Sequence, residues 1–77
     1  MDAEIFTIDK NKREQLRVRL RKYNGFDLLD ARIFEQDDKQ QRMVPSKRGW
    51  AIRVGLVDEL IDGLEQARGE LKRGGLI

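Results

Sequence analysis

Leu16-Arg17-Val18-Arg19-Leu20-Arg21-Lys22-Tyr23-Asn24-Gly25-Phe26-Asp27-Leu28-Leu29-Asp30-Ala31-Arg32-Ile33-Phe34 is the stretch from which the fold can be read. Its first six residues alternate apolar with arginine. Successive strand side chains point to opposite faces, so Leu16, Val18 and Leu20 share one side and Arg17, Arg19 and Arg21 the other, with Tyr23 continuing the arginine parity. Asn24-Gly25 is a strong hairpin turn signal. The run after it alternates again, with Leu29, Ala31 and Ile33 against Asp30, Arg32 and Phe34. The pattern predicts a hairpin from about Gln15 to Gln36 with one apolar face and one face carrying a guanidinium ladder beside an aromatic ring. On a helix the same arginines would scatter around the cylinder.

Outward from the hairpin, Ile5-Phe6-Thr7-Ile8 reads as a brief strand and Asp9 to Lys12 as a polar turn. Glu35 to Gln41 is a polar connection, a solvated turn rather than a divalent-cation site. Pro45 and Gly49 bracket a loop that carries Lys47 and Arg48, and Trp50 to Val54 follows as a fourth strand. Trp50 shares parity with Ile52 and is read as core or interface. From about Gly55 the period becomes helical. Val57, Leu60, Ile61, Leu64 and Leu71 fall on one stripe, with Asp58, Glu59, Asp62 and Glu65 outside it, and Gly74-Gly75 ends the helix. Strands followed by one amphipathic helix imply an α+β domain, an antiparallel sheet at about 4–54 with the helix of about 55–73 covering one face.

Size and charge narrow the function. A chain of 77 residues is one domain; it buries only about 60% of its unfolded surface and is marginally stable alone. With no cysteine and no histidine it has neither a disulfide framework nor an ordinary zinc site, which makes self-association the expected source of further burial. No apolar run approaches the roughly 20 residues of a membrane span, and no signal-peptide pattern opens the chain, so a soluble, intracellular protein is expected. The net charge of +2 conceals segregation: Lys10 to Lys22 sums to +6 and Lys39 to Arg53 to +5, while Tyr23 to Asp38 sums to −4. Such blocks point to a polyanion, nucleic acid first.

An enzyme has little support. Ser46 is the only serine and Thr7 the only threonine, and no nucleophile–base pair, phosphate-cradling loop, metal cluster or cofactor motif is present. Binding has a physical case. Alternate strand residues stand about 6.5–7 Å apart, close to the phosphate spacing of an extended single strand, and aromatic rings offer stacking surfaces to unpaired bases. Against this stands a plain solvated sheet face with cross-strand pairs such as Arg19 to Asp30.

Four places, in this order and spacing, resemble the transcriptional positive cofactor 4 family of single-stranded-DNA-binding coactivators, over about Phe6 to Leu64. They are Tyr23-Asn24-Gly25, an aromatic-x-Gly turn; Asp30-Ala31-Arg32-Ile33-Phe34, an Asp-x-Arg-x-aromatic strand; Pro45-Ser46-Lys47-Arg48-Gly49, a basic loop; and the passage from Trp50-Ala51-Ile52 into the helix. The resemblance implies a four-stranded curved antiparallel sheet, a C-terminal helix through which two copies dimerise, and a concave face for unpaired DNA. By matching position, Tyr23 is the turn aromatic, Arg32 the strand arginine, and Lys47 and Arg48 the loop cations. The chain departs from the family at Asn24, Phe26 and Asp27, where lysines are common, at Glu35 in place of a tryptophan, and at Arg53-Val54-Gly55, which lacks a polar cap and proline. The absence of a Ser-rich tail points to a bacterial or phage member.

The expectation is therefore a homodimeric, sequence-tolerant single-stranded DNA binder in transcription, replication or repair, with RNA not distinguished from DNA. Arg17, Arg19, Arg21, Arg32, Lys47 and Arg48 meet phosphates. Tyr23 stacks on bases, with Phe34 or Phe26 beside it and Asn24 in the same turn. Trp50, Val57, Leu60, Ile61 and Leu64 form core and dimer contacts. The alternative is an adaptor whose helix docks on a polymerase or other partner of the transcription or replication machinery.

Overall fold

The computed structural model describes residues 2–77. Four strands, β1 (Ala3–Asn11), β2 (Glu14–Tyr23), β3 (Phe26–Asp37) and β4 (Arg42–Arg53), form one antiparallel sheet in chain order. A single 3-10 turn (Val54–Leu56) then leads into helix α1 (Val57–Arg73). Asn24 and Gly25 take φ of 49° and 81°. Positive φ at both central residues is what a two-residue hairpin of primed type needs to match strand twist. The turn pins the β2–β3 register: Leu16 faces Ile33, Val18 faces Ala31, and Leu20 faces Leu29. The predicted faces follow directly.

Three strands are longer than the sequence suggests, with β3 taking in Glu35 to Asp37 of the expected connection. The first runs on through Asp9 to Asn11, and Lys12-Arg13 makes the turn. The fourth absorbs the basic loop, because ladder hydrogen bonding carries Pro45 and Gly49 into an edge strand, where a missing N–H is tolerated. The residues between them form a bulge: Pro45 pairs with Phe34 and Gly49 with Arg32, and the Ser46 hydroxyl donates to the Ile33 carbonyl at 2.7 Å. Gly49 is needed for the return. A Cβ there would meet the Ala31 carbonyl and lie 2.8 Å from Arg32 Cα. Gly49→Ala should cost about 2 kcal/mol of overpacking and backbone shift, seen as a lower urea midpoint at unchanged slope.

Helix α1 departs from the expected packing. None of its residues is buried, and Ile61 and Leu64 are widely exposed. It stands off its own sheet over an apolar groove of about 560 Å3 whose walls include Ile8, Leu16, Trp50, Leu60, Ile61 and Leu64. The Cα radius of gyration is 14.8 Å, against about 11–12 Å expected for a compact chain of this length. Among the described residues, only Val18, Ala31 and Phe34 form a buried apolar core. The helix follows edge strand β4 without packing down onto the sheet, so one face stays open. Among the described residues, no helix is long and apolar enough to cross a membrane.

Candidate nucleic-acid interface

The face opposite the groove is built in cross-strand rows. Gln15, Phe34 and Pro45 form one; Arg17, Arg32 and Gly49 the next; then Arg19, Asp30 and Ala51; then Arg21, Leu28 and Arg53; and Tyr23 with Phe26 closes it at the hairpin turn. Period-two alternation on three strands in fixed register assembles the rows, so the arginine ladder predicted from β2 exists as a surface.

Its two halves differ in chemistry. In the first half the cations are committed. Asp30 is 1% exposed and takes hydrogen bonds from Arg19 Nη2 at 3.3 Å and Arg32 Nη2 at 2.9 Å. Burial works against its charged form, yet the hydrogen bonds from Arg32 and Arg19, together with their charges, hold the carboxyl below the usual range. Two guanidiniums share one carboxylate, so the trio presents a single net positive charge. Arg32 also donates to the Ser46 carbonyl at 3.1 Å, which ties β3 to the bulge. The Arg19–Asp30 pair is the cross-strand pairing anticipated for a solvated face, here largely desolvated.

Phe34 lies beneath this network. It is 4% exposed, with the Arg17 and Arg19 guanidiniums 4.4 and 4.9 Å from its ring centroid. Its expected stacking role is therefore not open to it: the ring is core, roofed by cations. Arg17 is further held by Gln15 at 3.0 Å and by Glu4 at 3.5 Å.

Arg48 also differs from expectation. Its guanidinium pairs with Glu14 and with Glu35, the latter at 2.9 Å. Glu14 and Glu35 face each other on the side of Leu16 and Ile33, so Arg48 sits at the rim of the apolar face rather than on the ladder. The hydrogen bond from Arg48, and then that from Asn11, lowers the Glu14 carboxyl to about 2. Lys47, its neighbour in the bulge, has no acidic partner among the described residues.

The second half is open. Arg21 has no acidic partner among the described residues, Tyr23 is 59% exposed, and Phe26 is 47% exposed. Asn24 shapes the turn between the two aromatics. Sequence reasoning missed Arg53, which shares the row of Arg21 and whose guanidinium lies 3.9 Å from the Phe26 ring centroid. The signal was available: with Trp50 and Ile52 on the apolar face, Ala51 and Arg53 take the other. The structure thus brings Arg17, Arg19, Arg21, Tyr23, Phe26, Arg32 and Phe34 to one face. It places Arg48 with the acids and Trp50, Leu60, Ile61 and Leu64 at the groove.

Solved structures share this architecture. A PC4 homolog from Burkholderia pseudomallei, in its orthorhombic crystal form, matches with a TM-score of 0.75 at 29% identity, over 84% of this chain and 86% of that one. Its tetragonal form gives 0.78 at 28% identity, over 88% and 98%. A bacteriophage T5 homolog of the eukaryotic transcription coactivator PC4, implicated in recombination-dependent DNA replication, gives 0.76 at 20% identity, over 92% and 81%. The sequence matches no family model and no curated protein. An open four-stranded sheet in chain order, a hairpin turn at Asn24-Gly25 and a single C-terminal helix thus make this chain a PC4-like fold.

Proposed function

We propose that this protein is a binder rather than an enzyme, and that it holds single-stranded DNA across the arginine face as a homodimer joined through α1. The observation that carries the reading is the open end of the ladder, where Arg21 has no acidic partner among the described residues and lies beside the exposed rings of Tyr23 and Phe26. Unpartnered cations attract phosphate, and exposed rings stack on bases whose faces a duplex would hide. A PC4-like fold supports it, and the phage relative's link to DNA replication fits a role in transcription, replication or repair. In the homodimer, a second copy covers the apolar groove, and Ile61 and Leu64 of each helix become interior. A second reading uses the same exposed stripe to dock on a polymerase or other partner; the small core of the single chain favours the second copy.

Fluorescence anisotropy of a labelled dT 20-mer and an equal duplex, titrated at several salt concentrations, tests the binding. Arg21 and Lys47 as the principal phosphate contacts predict a log–log salt slope of roughly −1.4 per protomer on the single strand, with duplex binding at least tenfold weaker. Equal affinity for both would reduce the face to a general polyanion surface.

A further inference from the structure

The face carries two arginine–aromatic stacks that differ in a way with functional meaning. Around Phe34 the stack is closed: the ring is buried, and Arg19 is committed to Asp30. Around Phe26 it is open. Arg53 makes no hydrogen bond and no ion pair among the described residues, it is exposed, and its guanidinium lies 3.9 Å from a ring that itself keeps 47% of its surface in solvent. The contact arises from register. Arg53 pairs with Leu28, two residues along β3 from Phe26, and such diagonal neighbours on one face are within reach of a long side chain.

We propose that Arg53 and Phe26 form one composite platform that takes a single unpaired nucleobase, with Arg53 acting through its guanidinium plane and not through charge alone. This rests on the single-strand reading above and names the base-binding element within it. A guanidinium is planar and weakly hydrated, and it stacks on π-systems from either side. With one side over Phe26, the other faces solvent as a flat, electron-poor surface suited to the face of a base. Tyr23, paired with Phe26 across the turn, stands where the next base of an extended strand would fall, and Arg21, in the row of Arg53, is placed for the phosphate between them. Bases in a duplex are stacked on both faces and cannot use such a platform, so it selects unpaired strands.

Arg53→Lys tests this, because it keeps the charge and removes the plane. Measured against the dT 20-mer, Arg53→Lys should weaken binding about tenfold, the scale of one lost base stack, with the salt slope unchanged. Phe26→Leu should weaken it to a similar degree. The double variant should lose less than the product of the two, because either change alone dismantles the platform. Circular dichroism of each variant should match the parent, since both side chains are exposed. Full affinity in Arg53→Lys with a loss in Arg53→Ala would make Arg53 a phosphate contact and overturn the proposal. Failure of the parent to bind the 20-mer would instead overturn the broader reading, and the two failures are thereby distinguishable.

Discussion

Leu64→Asp should leave the protein monomeric and poorly folded at micromolar concentration. Leu64 is 59% exposed in the single chain, on a helix with no buried residue of its own, facing a groove walled by the apolar side of the sheet. Val18, Ala31 and Phe34 alone make a core too small to sustain a domain of this length. A two-fold interface uses each residue twice, so one substitution removes two leucines, each worth about 1.5–3 kcal/mol when buried. It also forces two carboxylates toward an apolar groove. The dimer dissociation constant should rise by about a thousandfold or more. Sedimentation velocity reads the mass, and the melting temperature of the parent should climb with protein concentration, as it does where folding and association are linked. Asp58→Asn, at the start of the helix and outside its apolar stripe, is the matched control and should remain dimeric. A parent that is monomeric, with a concentration-independent melting temperature, would shift the helix stripe to a different partner protein.

Asp30→Asn should be the most damaging change on the sheet itself, costing about 3 kcal/mol, a large part of the 5–15 kcal/mol of a typical domain. The side chain is almost fully enclosed, and its loss of charge strands Arg19 and Arg32, which are themselves only partly exposed. Arg19 Nε is already buried without a hydrogen-bond partner among the described residues, so losing the carboxylate adds to an existing deficit on the same guanidinium. The pH dependence follows from the sign of the shift. The folded-state carboxyl lies below its unfolded value near 4, so its contribution is complete above that value and is lost as pH falls through the folded value. Glu14, held at about 2 by Arg48 and Asn11, acts in the same direction from a half-buried position. Urea midpoints should therefore fall steeply in the parent as pH drops from about 5 toward 2. In Asp30→Asn they should start lower and fall less, with the Glu14 part remaining. The substitution also frees two guanidiniums, so in whatever fraction stays folded the single-strand salt slope should steepen by roughly 0.7, one net charge gained. A shallower slope would mean that Asp30 does not hold those charges away from phosphate.

These expectations depend on features that were legible to different degrees before the fold was known. The alternation of Leu16 to Arg21 and of Leu29 to Phe34 is a local signal, since a period of two assigns faces without reference to any other element. Asn24-Gly25 adds the register, because few residue pairs accept positive φ at both turn positions. The helical stripe from Val57 to Leu71 is equally local. Strand ends were harder. The ladder of β3 carries β4 back through Pro45 and Gly49, and a cross-strand hydrogen bond outweighs a loop-like composition.

Which cations remain available is a different kind of property. Composition counts Arg19, Arg32 and Arg48 as equals of Arg21 and Arg53, yet Asp30, Glu14 and Glu35 occupy the first three and not the others. Asp30 reaches Arg32 from two residues along the same strand, and the other partners come from other strands at sequence separations up to thirty-four residues. The same holds for the two phenylalanines, one roofed and buried, the other open under Arg53. Local periodicity was enough for the sheet, its faces and its helix, because side-chain direction repeats along the chain. Charge neutralisation, ring exposure and the uncovered groove needed three-dimensional neighbours, because electrostatics and burial act through space between residues the chain keeps far apart.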